Sequence, residues 1–336
     1  MKRYENSQLG LDIARFSAKI GADSLIVQGA GGNISWKDSG SLWVKASGTW
    51  LAEALINDIF VEVNLVHILE NVEGGNYVVE PRAVGVSPLK PSIETLLHAL
   101  MPHSIVVHLH QVDLLACLVR RDAEQFIGSK LGETVRWTLV NYYKPGAMLA
   151  KAVNEALSAR PDADIIFLKN HGVVIGGDSV SDVMQKLLCI VDLLKVPFYT
   201  HDGINPGSGK LGYMPVSEPS LHALAVESYY LDRLVLSWAL YPDHIVFLGP
   251  QAHVCDGWDA VSESRNKAVT PNLLFVKGHG VYSKNPLTRA ESAQLRCYYD
   301  VLSRLPLGTE LQVLSKADVQ GLVNWEAEQY RVNLSK

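Results

Sequence analysis

The apolar positions along this chain alternate between two periods. Residues 7 to about 22 carry apolar side chains three and four apart, the spacing of an amphipathic helix. Leu25-Ile-Val27 then runs into a glycine-rich loop, Gly29-Ala-Gly-Gly-Asn33, with short strands expected from Ile34 to Trp36 and from Leu42 to Lys45. Phe60-Val-Glu-Val63 reads as another strand. Pro91 is expected to open a helix through Met101, because a proline in a first turn lacks only an N–H that has no partner there. Ile105-Val-Val107 reads as a buried strand feeding a helix from about Val112 to Arg120. Val135 to Leu139 is strand-like and Gly146 to Ala159 helical; Ile165-Ile-Phe-Leu168 is a buried strand, and Val173-Val-Ile175 continues it after a tight His171-Gly172 turn. A long helix over 179–196 follows, and the Gly- and Pro-rich stretch from Asn205 to Ser217 is the linker candidate. Turn-linked antiparallel strands, then strands flanked by helices, point to a layered α/β/α architecture.

The second half echoes the first. Ile165-Ile-Phe-Leu-Lys-Asn-His-Gly-Val-Val174 aligns with Leu273-Leu-Phe-Val-Lys-Gly-His-Gly-Val-Tyr282 at an offset of 108 residues. A weaker match sets Pro102-His-Ser-Ile-Val-Val107 against Pro242-Asp-His-Ile-Val-Phe247. The expected division is a catalytic domain over 1–205 and a C-terminal α/β segment over 218–336, a partial and chemically silent copy in which His279 lacks partners.

Composition narrows the class of protein. A net charge of −5 offers no general basic surface, so nucleic acid is not an expected partner. No apolar run approaches the ~20 residues that span a bilayer, and the first residues do not form an apolar signal core. Cys117, Cys189, Cys255 and Cys297 are widely scattered, which reads as reduced thiols in a cytoplasmic protein and not as a disulfide framework.

Candidate chemistry begins at His108-Leu-His110. Side chains alternate faces along a strand, so both imidazoles point to one side. Two imidazoles together are half a metal site, or simply two structural histidines. His171, exposed by the sharp Asn170-His171-Gly172 turn, is a third nitrogen donor. Three protein ligands with an open position describe a catalytic divalent site; Zn2+ is the default metal, with Mn2+, Fe2+ or Co2+ as alternatives. Glu94, in Pro91-Ser-Ile-Glu94, is a candidate general base or merely a charge at a helix start. Gly29-Ala-Gly-Gly-Asn33 and Ala46-Ser-Gly-Thr49 are candidate anion loops or plain turns. The first leads into a short strand with no βαβ unit, which excludes a dinucleotide fold.

In this order, Gly32-Asn33 with Ser35, Lys45-Ala-Ser-Gly48, Pro91-Ser-Ile-Glu94, His108-Leu-His110, Tyr142 four before Gly146, and Asn170-His171-Gly172 resemble the class II aldolase/adducin family over roughly residues 5 to 200. Leu42-Trp-Val-Lys-Ala-Ser-Gly48 looks most like the aldolase portion of bifunctional aldolase/short-chain dehydrogenase proteins. The resemblance implies a three-layer α/β/α fold around a largely antiparallel sheet. It implies Zn2+ on His108, His110 and His171, and Glu94 as acid/base. It further implies a phosphate pocket of Gly32, Asn33, Ser47, Gly48 and Ser92. Tyr142 matches a tyrosine that reaches a neighbouring subunit's site and protonates the aldehyde oxygen, so a homo-oligomer, commonly a tetramer, is implied.

The activity so implied is a metal-dependent aldolase that cleaves or forms a carbon–carbon bond in a ketose or sugar phosphate through a metal-stabilised enediolate. A sugar-phosphate 4-epimerase or dehydratase shares that logic, and a non-catalytic adducin-like interaction protein shares the fold. One departure is Ile93, where phospho-sugar aldolases usually carry a second Ser, which weakens the case for a phosphorylated substrate.

Overall fold

The computed structural model describes Tyr4 and residues 7–199, 203–264 and 270–334. Seven strands form its larger sheet: β1 (Asn33–Asp38), β2 (Ser41–Lys45), β3 (Phe60–Asn64), β4 (Ile105–Leu109), β5 (Trp137–Val140), β6 (Ile165–Leu168) and β7 (Gly172–Gly177). Their order is β3-β2-β1-β4-β7-β6-β5. Every neighbouring pair is antiparallel except β5 with β6.

Strand alternation sorts the core into layers. Ile105, Val107 and Leu109 of β4 join one apolar cluster with residues of helices Gln8–Gly21 and Val180–Leu194. Val106 points the other way, into a cluster with Leu97 and Leu149 from helices Thr95–Leu100 and Ala147–Ala159. By the same alternation His108 shares the face of Val106. At the β1–β2 end, Trp36 lies opposite Trp43 and the rings stack 5.5 Å apart. Tyr4 and Phe60 meet Trp36 edge-on, so an aromatic group pins this end of the sheet.

A second sheet contains β8 (Met214–Pro215), β9 (Val254–Cys255), β10 (Leu273–Val276) and β11 (Gly280–Ser283) in the order β8-β11-β10-β9. Its hairpin repeats the register of the first sheet at the offset of 108. Ile165 faces Ile175 in β6–β7, and Leu273 faces Ser283 in β10–β11. The parallel partners correspond as well: Phe167 faces Leu139, and Phe275 faces Val254.

Three expectations are corrected. Pro242–Leu248 is a helix with proline in its first turn, so its match to the strand before His108 does not hold. Across β11 the residue in the place of His108 is Pro215, which faces Tyr282 as His108 faces Val174. Pro91 does not start a helix: it bridges to Ala46, and the helix begins at Thr95. The Asn205–Ser217 stretch is not a bare linker, since β8 lies in it and Tyr213 and Val216 are buried.

The two halves share a core. One buried cluster joins Val112, Leu115 and Val119 to Leu224, Tyr241 and Leu302. Arg304 donates to Asp113 at 2.8 Å across the same boundary, with both groups largely out of solvent. Cys117 and Cys297 are buried, whereas Cys189 is exposed. Among the described residues no helix is long and apolar enough to cross a membrane.

Candidate metal centre

The centre is assembled from strand ends. The β1–β4 register sets Asn33 directly opposite His108. β4 ends at Leu109 and delivers His110 one step beyond it. The β6–β7 turn supplies His171; Asn170 takes the left-handed backbone at φ 53°, a region Asn tolerates better than most residues. Gly172 follows because a Cβ there would lie 2.4 Å from the Leu109 carbonyl oxygen and 2.9 Å from His110 Cδ2. That glycine is what lets the turn close onto the histidine pair.

All three rings are buried, and one nitrogen from each lies within 4.8 Å of the others. Nε2 of His108 and Nε2 of His110 are 3.0 Å apart. The outer nitrogen of His108, Nδ1, faces the Val173 carbonyl at 3.1 Å, and Nδ1 of His110 faces Asp243 Oδ2 at 3.3 Å. Outer-nitrogen partners of this kind fix the ring and its tautomer in metal sites. Burial pushes His171 down to about 3 and His108 well below the usual histidine range. Neutral imidazoles are the ligand form, and the donor set and its spacing fit one divalent cation.

Glu94 stands against the trio. Its Oε2 accepts a 2.6 Å hydrogen bond from Asn33 Nδ2, and Oε1, which takes no hydrogen bond, lies 3.3 Å from His171 Nε2. Burial raises its carboxyl to about 7, with the charge of His110 opposing that rise. The backbone N–H of Glu94 donates to Ser92 Oγ, so the loop before the helix sets its position.

A narrow cleft opens here, and Gly32, Asn33, Ser47, Gly48, Ser92, Glu94, His110 and His171 all line it. His108 lies behind it, fully buried. Ile93 is also in the lining, so the departure noted in the sequence falls on the cleft itself. Tyr142 is not in the lining; it packs against the C-terminal core. Burial, then the charges of Asp318 and Glu328, pushes its phenol up. His279 is not in the lining either; its ring is on the Lys277 carbonyl.

Sequence reasoning missed three charged residues of this cleft, Asp243, Glu328 and Arg331, and gave Lys45, named there only within its motif, no role. Lys45 is buried and donates to the carbonyls of Ala30 and Thr49; burial, then Arg331, lowers its ammonium to about 7. Arg331 donates to Asp243 Oδ1 at 2.9 Å and to Glu328 Oε2 at 2.8 Å. Burial opposes its charge, but Asp243 and Glu328 hold the guanidinium protonated. Burial also opposes ionisation of Asp243, yet Arg331 and His110 hold that carboxyl well below the usual carboxylate range. Beyond Arg331, Leu334 sits over Gly48, where a Cβ would lie 2.6 Å from Leu334 Cδ1. Pro242 at a first turn, followed by Asp243, was the one local signal; nothing in 326–334 advertises a cleft.

The sequence profile described as "Class II Aldolase and Adducin N-terminal domain" matches residues 12–197. A curated relative, "Uncharacterized oxidoreductase YuxG" of Bacillus subtilis, is 28% identical over 218 residues, which are 59% of this chain and 31% of that protein. The chain therefore spans about a third of that relative's length. Among solved structures, the N-terminal class II aldolase domain of a conserved protein from Thermoplasma acidophilum is 26% identical with a TM-score of 0.48, covering 56% of this chain and 93% of that one. L-fuculose-1-phosphate aldolase from Thermus thermophilus is 19% identical with a TM-score of 0.38, covering 56% and 92%. Asp243, Glu328 and Arg331 lie beyond the matched residues. With more than half of its length matched, and the histidine trio and Glu94 inside the match, the chain belongs to the class II aldolase and adducin N-terminal domain family.

Proposed function

We propose that this protein is a divalent-metal-dependent aldolase that cleaves or forms a carbon–carbon bond in a ketose. The observation that carries the reading is the convergence of three buried imidazoles with a carboxylate, one oxygen of which is held by Asn33 while the other faces His171. His108, His110 and His171 hold the cation, with Zn2+ as the default for this ligand set. When bound, such a cation supplies Lewis-acid stabilisation of negative charge developing on substrate oxygens.

The remaining work falls to side chains of the cleft. Glu94 takes and returns a proton at Oε1, while Asn33 fixes Oε2 and so aims the other oxygen. Near neutrality a carboxyl raised to about 7 can both accept and release that proton. Ser47, Ser92 and the backbone at Gly32 and Gly48 form the polar wall for the far end of the substrate. Arg331 is spent on Asp243 and Glu328, which leaves Lys45 as the cationic group this wall offers to the far end of the substrate. Protonation of the departing aldehyde by Tyr142 belongs to this reading only across a subunit boundary, since within one chain Tyr142 is outside the lining.

The test is a screen of free and phosphorylated ketoses for aldehyde release, with and without a chelator, alongside metal analysis. Chelator-sensitive release and about one divalent ion per chain are expected. Epimer formation or loss of water without cleavage would move the protein to a 4-epimerase or a dehydratase on the same site. A metal-free, folded and inert preparation would leave an adducin-like interaction protein.

A further inference from the structure

We propose that Asp243, in the C-terminal half of the chain, is a positioning residue of the metal centre: its carboxylate holds Nδ1 of His110 and aims Nε2 at His108 and His171. The inference rests on the reading that the three histidines take a divalent cation. It adds a residue outside the stretch that the family profile matches.

Four observations carry it. Asp243 Oδ2 lies 3.3 Å from His110 Nδ1, while Oδ1 is engaged by Arg331. The carboxylate therefore has one oxygen fixed and one directed at the ring. The contact is on the nitrogen opposite the one that faces His108, as a carboxylate must be to orient a ligand without displacing it. Room for it is made by Gly31, where a Cβ would lie 2.7 Å from Asp243 Oδ2 and 3.0 Å from His110 Nδ1. Finally, the C-terminal half grips the third ligand's turn too: Asn170 Nδ2 donates to the Leu240 carbonyl at 2.9 Å and to the Gln312 carbonyl at 2.7 Å. Leu240 is three residues before Asp243, so one segment braces both the His110 ring and the His171 turn.

The experiment titrates Co2+ into the metal-stripped full chain and records both affinity and the visible ligand-field band. Wild type, Asp243→Asn, Gly31→Ala and Asp300→Asn are compared. Asp243→Asn is expected to bind Co2+ about ten- to a hundred-fold more weakly, with a displaced band. Gly31→Ala, which wedges a methyl between carboxylate and ring while keeping both, is expected to shift both readouts in the same direction. Asp300→Asn loses its ion pair with Arg296 and should match wild type in both, separating positioning from general loss of stability. A folded Asp243→Asn protein with wild-type affinity and band overturns the role. Where that variant does not fold, a Gly31→Ala protein with wild-type affinity and band overturns it equally. A wild-type chain that takes up no Co2+ removes the metal reading, and this inference with it.

Discussion

Replacing Glu94 with Gln should make the protein more stable and less active, and the size of the first effect follows from where the carboxyl sits. Glu94 is buried and its carboxyl is raised from 4.5 to about 7, chiefly by burial. A carboxyl raised on folding binds its proton more tightly in the native chain, so native stability falls as pH climbs from the unfolded value through the folded one. The gap between 4.5 and about 7, at ~1.4 kcal/mol per pH unit, is about 3 kcal/mol. Gln carries no charge and escapes that cost, while still offering Asn33 an oxygen. Urea unfolding of the metal-stripped chains at about pH 5 and about pH 8 should show wild type losing about 2–3 kcal/mol more than the variant over that interval. Turnover of the metal-loaded variant should drop by about 10²–10⁴, the usual worth of a positioned general base. Parallel pH dependences would refute the burial argument. Turnover within a few-fold of wild type would remove Glu94 from the chemistry.

Other outcomes follow from the same geometry. His279→Ala should leave metal content intact, because His279 is not in the trio and its ring is on the Lys277 carbonyl, and a halved content measured by elemental analysis would contradict this. His98 and His244, both lowered to about 3 by burial, must stay neutral in the folded chain but charge on unfolding below about 6.5. Their contribution is therefore fully present above the unfolded value and lost as pH falls towards 3. Each adds a slope of up to ~1.4 kcal/mol per pH unit, which His244→Phe should remove for one of them in acid-side denaturant melts.

The sequence reveals most where the determinants are local. Ile105-Val-Val-His-Leu-His110 is apolar and alternating, so a buried strand with two imidazoles on one side follows from period alone, and β4 is that strand. The Asn170-His171-Gly172 turn is equally local. By contrast, the pairing of Asn33 with His108 joins residues 75 positions apart through a sheet register that no short window contains. Proline in a first turn was assigned to Pro91, where a bridge to Ala46 prevails, and overlooked at Pro242, where a helix does begin. Pro242-Asp-His-Ile-Val-Phe247 is a short apolar run, the kind whose periodicity does not separate strand from helix. That misreading hid Asp243. Arg331 and Glu328 were invisible for a different reason: their neighbours in sequence say nothing about a cleft built mostly by the first half.

The wall carrying Arg331 has a temporal consequence. Arg331 is made 160 residues after His171, the last of the three imidazoles. At roughly 5–20 residues per second of synthesis, about eight to thirty seconds separate them. During that interval the nascent chain can already present its imidazoles, yet the helix Glu326–Leu334 that will roof the opening has not emerged from the ribosome. The imidazoles and the helix that roofs them are thus made at separate times, ordered by the direction of translation.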